Sequence, residues 1–135
     1  MILRCEFAQD LPPITGDVVQ LQQVISNLLR NASDAMGRVD DRPRQLVVRT
    51  VLEGADLVRL DVEDSGTGLD TALLDKLFKP FYTTKPDGMG VGLSVSRSII
   101  ERHNGRLWAT PNEGPGATFS FSLPRAGPAA PSARP

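Results

Sequence analysis

A single cysteine, Cys5, in 135 residues rules out an intrachain disulfide framework. No apolar run reaches the length of a membrane span or of a signal-peptide core, so the expected setting is reducing and cytoplasmic. Charge of one sign is missing as well. Fifteen Lys and Arg stand against sixteen Asp and Glu, and aromatic residues make up only 5%. That composition carries no electrostatic footprint for nucleic acid or for direct contact with an anionic membrane. The length suits one domain with a full core and is too short for two.

Turn signals divide the chain clearly. Ile2 to Phe7 alternates weakly and fits an edge strand, and Leu11-Pro12-Pro13-Ile14 is extended by proline geometry. Asp17 opens a long helix, with Gln20 placed to complete a capping-box-like pair. Leu21, Val24, Ile25, Leu28, Ala32 and Ala35 form its apolar stripe, and the helix is expected to reach Met36 and stop at Gly37. After a charged loop, Gln45 to Leu52 reads as a strand, and a turn at 53–56 leads into another strand ending at Asp64. A short helix is expected from about Thr71 to Leu77, and Lys79 to Gly90 has no periodicity, as in a mobile loop. From Val91 the pattern is helical, with Leu93, Ser96, Ile99, Ile100 and His103 on one face and Asn104-Gly105 as a left-handed stop. Two strands follow, Arg106 to Ala109 and Ala117 to Leu123. Residues 125–135 have almost nothing to bury and read as a disordered tail beyond a domain of residues 1–124.

The chemistry concentrates at two glycine clusters, Asp64-Ser65-Gly66-Thr67-Gly68 and Gly88-Met89-Gly90-Val91-Gly92-Leu93. Val58, Leu60 and Val62 share one face of a period-two strand, so Asp64 falls with the apolar set. A carboxylate on the core side requires hydrogen-bond donors, either a buried structural partner or a ligand, and the adjacent glycines favour a ligand. The second cluster lacks the Gly at 93 of a dinucleotide fingerprint and the Gly-Lys-Ser/Thr of a P-loop. Glycine-backed amides at a helix N-terminus still suit phosphate, and Lys85 is the one cation in the stretch before it. On the first helix Asn27, Asn31 and Asp34 stand at i, i+4 and i+7. That line reads either as a solvated helix face or, because asparagine is a poor mid-helix residue, as oxygen ligands for a hard cation such as Mg²⁺.

Five segments together resemble the boxes of the ATP-binding domain of sensor histidine kinases: Asn27-Leu28-Leu29-Arg30-Asn31-Ala32, Asp64 to Gly68, Leu77-Phe78-Lys79-Pro80-Phe81, Gly88 to Leu93, and Gly116-Ala117-Thr118-Phe119. The resemblance runs from about Asp17 to Pro124. The stretches Phe81 to Lys85 and Ile99 to Leu107 look most like kinases of nitrogen- and oxygen-regulatory systems. It implies an α/β fold, a Bergerat-type two-layer sandwich with a mixed sheet of about five strands and about three main helices on one face. It also implies ATP and Mg²⁺ as cofactors. Carried over by motif, Asn31 ligates Mg²⁺, Asn27 lies near metal and phosphates, and Asp64 accepts from the adenine amino group while Gly66 and Gly68 let the chain pass the base. Gly88, Gly90 and Gly92 hold phosphates with the adjoining amides of Met89, Val91 and Leu93. Leu69, Thr83 and Thr84 complete the lining, with Thr118 or Ala117 at the base through water. Asn27, Asn31 and Lys85 are the implied catalytic set.

Two positions depart from related sequences. ATPases of the gyrase and chaperone branch place a water-activating glutamate four residues before the metal asparagine, where this chain has Asn27, so transfer to a nucleophile is expected over hydrolysis. Asp34 stands where many of these kinases carry a base, leaving Lys85 and Arg30 as the cationic candidates. The implied partners are a histidine-bearing dimerisation hairpin, expected directly before Met1, and a downstream response regulator, with the isolated domain a monomer. His103, the only histidine, falls on the apolar face beside the helix stop and reads as a packing or capping residue rather than the phosphoacceptor. Met89, Phe78, Phe81 and Tyr82 read as lid and core packing. The rival readings are an ATP-gated ATPase and a noncatalytic nucleotide-binding module.

Overall fold

The computed structural model describes residues 2–37, 40–68, 78 and 90–126. Among these described residues, five strands and two helices follow the order β1 (Ile2–Phe7), α1 (Val18–Met36), β2 (Gln45–Glu53), β3 (Leu57–Asp64), α2 (Gly90–Arg102), β4 (Arg106–Pro111) and β5 (Ala117–Pro124). The sheet order is β1-β2-β3-β5-β4, with β1 parallel to β2 and every other pair antiparallel. This is the expected mixed sheet of an α/β sandwich. The helix expected over 71–77 and the unpatterned loop after it lie outside the described residues.

Alternation along the strands makes the two layers. Val62 on β3, Ala117, Phe119, Phe121 and Leu123 on β5, and Leu107 on β4 share a face and pack against Val24, Leu28, Ala32 and Met36 of α1 and Leu93, Ile99 and Ile100 of α2. Burying each of the Val, Leu, Ile, Met and Phe side chains among them contributes about 1.5–3 kcal/mol. The other face carries charge. Arg59 Nε lies 3.1 Å from Asp61, Arg49 contacts Asp61 at 3.7 Å and Glu63 at 3.3 Å, and Arg49 also reaches Glu6 on β1 at 3.0 Å. Asp61 is buried beneath these arginines, so its charge is neutralised where water is excluded.

Helix ends are set by local chemistry. Asp17 caps α1, its Oδ1 accepting from the Gln20 amide at 3.1 Å. The reciprocal half of the expected capping box is replaced. The Asp17 amide donates to His103 Nε2 at 3.1 Å, and His103 Nδ1 lies 2.8 Å from the Ile99 carbonyl. Nδ1 therefore carries the proton, and the imidazole, held at both nitrogens by backbone, links the start of α1 to the end of α2. At that end Asn104 takes φ +65°, Asn104 N–H donates to Glu101 O and Gly105 N–H to Ile100 O, which is a Schellman stop. Gly105 serves packing rather than dihedral freedom, since a Cβ there would stand 2.2 Å from Ser122 O. After β5, the Arg125 amide donates to Asp56 O and the Ala126 amide to Pro13 O, both at 2.8 Å.

Gly116 has both a positive φ of +92° and a Cβ position only 1.9 Å from Asp64 O. Gly54 has φ +61° with nothing within 4 Å. Gly116→Ala is expected to destabilise by about 3 kcal/mol, against about 1 kcal/mol for Gly54→Ala, in chemical denaturation. Equal losses would show that backbone conformation alone, not close approach to Asp64, requires glycine at 116.

Candidate functional site

Asp64 ends β3 at 3% exposure, on the helix-facing side with Val62. Its Oδ1 accepts from the Gly66 amide at 2.8 Å and, more weakly, from the Ala117 amide at 3.4 Å. Burial raises its pKa above the ordinary 3.8, the two amides lower it, and neighbouring Glu63 adds a smaller rise. Both donors reach one oxygen. Neither of these two bonds uses Oδ2.

The chain around Asp64 is locked from several sides. Asn112 Nδ2 donates to the Asp64 carbonyl at 3.0 Å and to Pro115 O at 3.1 Å. Ser65 Oγ accepts from the Gln45 amide at 2.8 Å. Gly66 presses on α1, where a Cβ would stand 2.8 Å from the Ala35 carbonyl oxygen. Gly68 turns away with φ +87°. Arg42 grips the outside, Nε donating to Ser65 O at 3.1 Å and Nη2 to Gly66 O at 2.6 Å. Arg42 and Asn112 carried no motif signal, because each acts on backbone carbonyls from a loop.

The asparagine line meets α2. Asn27, half-buried, donates through Nδ2 to Ser96 Oγ at 3.1 Å and to Gly92 O at 3.4 Å. A glutamate at this position would face the Gly92 carbonyl with no proton to give, so the site suits an amide. Asn31 and Asp34 are half-buried further along α1, whereas Arg30 is exposed. From Asn27 beside α2 to Ala35 beside Gly66, α1 advances about 12 Å, the scale of a nucleotide. Gly92, in the first turn of α2, meets Asn27 on this stretch, and the amides of Gly90, Val91 and Gly92 have no intrahelical acceptor.

Not every expected residue gathers there. Thr118 lies on the opposite sheet face, its hydroxyl donating to Asn112 Oδ1 at 2.6 Å, and Ala117 instead presents its amide to Asp64. Leu69, Thr83, Thr84, Lys85, Gly88 and Met89 lie outside the described residues. Phe78 packs edge-on against Phe119 with centroids 6.4 Å apart and sits under Arg97, in keeping with a packing role.

The family model described as histidine kinase-, DNA gyrase B-, and HSP90-like ATPase matches residues 16–127. The chain belongs to this ATPase family. Within it the similarity is to sensor histidine kinases. The domain is 49% identical over 113 residues to sensor protein FixL of Bradyrhizobium diazoefficiens, covering 84% of this chain and 22% of FixL. It is 38% identical over 122 residues to sensor histidine kinase ZraS of Escherichia coli, covering 90% and 25% respectively. The chain thus spans about a fifth to a quarter of these two relatives. The catalytic domain of histidine kinase ThkA superposes with a TM-score of 0.78 at 31% identity, covering 92% of this chain and 78% of that one. ThkA has also been solved in complex with the response regulator protein TrrA, with a TM-score of 0.75 at 30% identity over 92% of this chain and 34% of that one.

The raised pKa of Asp64 fixes the sign of its effect on stability. A carboxyl that holds its proton more tightly when folded contributes stability below the unfolded pKa and loses it as pH rises through the folded one. At neutral pH the ionised group is a net cost. Asp64→Asn is expected to leave the ligand-free domain equally or more thermostable at pH 7, with the advantage shrinking toward about pH 4. A variant less stable at pH 7 in thermal denaturation would mean the charge itself holds the loop.

Proposed function

We propose that this is the catalytic ATP-binding domain of a cytoplasmic sensor histidine kinase. It binds Mg-ATP between α1 and the start of α2 and donates the γ-phosphoryl group to a histidine on a separate dimerisation hairpin. The observation that carries this reading is the buried Asp64 carboxylate, whose Oδ1 accepts from two backbone amides at the glycine-rich end of β3. A hydrogen bond from the adenine amino group to a carboxylate is worth about 1.5–3 kcal/mol, which would decide adenine over guanine. Gly66 and Gly68 pass the base, and the amides from Gly90 to Leu93 hold phosphate together with Gly88 and Met89.

The carboxamide oxygens of Asn31 and Asn27 fit a hard cation that takes its remaining ligands from phosphate and water. Asn31 would hold Mg²⁺, which neutralises charge on the transferring phosphoryl group. Lys85 supplies the cation opposite, with Thr83, Thr84 and Leu69 lining the lid side. Arg30 and Asp34 flank the metal on α1, and Thr118 acts only through Asn112. The domain extends at least to Ala126, two residues past the expected boundary at Pro124, because the amides of Arg125 and Ala126 are bonded to Asp56 and Pro13. Among the described residues no helix is long and apolar enough to cross a membrane. A response regulator would receive the phosphoryl group downstream, as the ThkA complex with TrrA suggests by likeness. The domain alone is a monomer that contacts neither nucleic acid nor membrane.

Asn27 tells against the ATPase rival, since its amide donates to α2 and cannot take a proton from water. The chain mixed with a cognate histidine hairpin and γ-labelled ATP is expected to form phosphohistidine, and Asn31→Ala to reduce the rate at least a hundredfold, roughly what removal of one electrostatic contact costs. Sustained phosphate release by the domain alone, without transfer to any hairpin, would overturn the kinase reading.

A further inference from the structure

Arg42 lies in the loop between α1 and β2, outside the expected nucleotide lining. Each of its three guanidinium nitrogens makes a contact. Nη1 meets Asp41 at 3.1 Å, Nε donates to Ser65 O at 3.1 Å, and Nη2 donates to Gly66 O at 2.6 Å. The Ser65 carbonyl and the Gly66 N–H belong to the same peptide group, and that N–H is the 2.8 Å donor to Asp64 Oδ1. Guanidinium, peptide and carboxylate thus form one hydrogen-bonded chain.

We propose that Arg42 is a positioning residue for adenine recognition, acting on the Asp64 carboxylate through the Ser65–Gly66 peptide. A cation at the carbonyl end of a peptide group withdraws charge and strengthens its N–H as a donor, since successive hydrogen bonds polarise one another. The carboxylate is thereby held at Oδ1, with Oδ2 turned toward the base. The second bond, to Gly66 O, fixes the following peptide, Gly66–Thr67, so that Gly66 is held by the guanidinium on both sides of its Cα. On the opposite side Gly66 is pressed against Ala35, so the loop is clamped between helix and guanidinium. Asp41 in turn orients Arg42 from solvent. This role rests on the proposed adenine contact of Asp64.

The test measures affinity for ATP and for purine riboside triphosphate, which lacks the exocyclic amino group, in the parent, Arg42→Met and Asp64→Asn. Because each ratio is taken on one protein preparation, loss of folded material cancels. Arg42→Met is expected to weaken ATP about three- to tenfold while changing the amino-free analogue less than about twofold, as befits one charge-assisted hydrogen bond lost or misaligned. Asp64→Asn is expected to act in the same direction and by more. Equal loss for both nucleotides in Arg42→Met would overturn the proposal and make Arg42 a general loop clamp. No loss in Arg42→Met, with ATP still weakened in Asp64→Asn, would overturn the relay and leave the adenine reading standing. Unchanged ATP affinity in Asp64→Asn would remove both.

Discussion

The site depends on one carboxylate kept where water barely reaches. Asp64 ends a strand whose alternation forces it to the core side, and a charge there is tolerated only with donors aimed at it. Two backbone amides arrive from different parts of the chain, Gly66 just beyond the strand and Ala117 at the start of β5. Gly116 lets β5 approach closely enough to deliver the second, and Asn112 ties the same turn to the Asp64 carbonyl. The fold therefore meets part of the cost of burial with its own backbone. The proposed adenine contact would offset more of it, which would tie stability to function.

The helix layer supplies the complementary half. α1 touches the Asp64 loop at Ala35 and α2 at Asn27, so one rigid element sets the spacing between the Asp64 loop and the start of α2. The cap of α1 is itself bonded to the end of α2 through His103. Both ring nitrogens are engaged with backbone, which gives the lone histidine a structural post and is incompatible with a free nucleophile. That post fits the packing and capping role expected of it.

Much of this was legible in the residues because it follows from local rules. Period-two alternation placed Asp64 inward, Asp17 and Asn104 marked helix ends, and the five boxes carried the family likeness. Contacts between residues far apart in sequence were not legible. Nothing about Arg42 in a charged loop signals that it holds Ser65 and Gly66, and Gln20 looked like the natural partner for an amide that His103 takes. Thr118 shows the limit of motif transfer. Its strand parity sends it to the far face, where Asn112 receives its hydroxyl, and only the neighbouring amide of Ala117 reaches the carboxylate. Gly105 and Gly116 announce themselves as glycines, but the close approach to Ser122 and Asp64 that requires them is a property of the assembled sheet.

The proposed contact of Asp64 Oδ2 with the adenine amino group is measured directly by a crystal structure of the domain with Mg²⁺ and a non-hydrolysable ATP analogue. The exocyclic nitrogen is expected about 2.7–3.2 Å from Oδ2 with the Gly66 amide still on Oδ1. An adenine bound with its amino group beyond hydrogen-bond reach of Asp64, with no water between them, would contradict it.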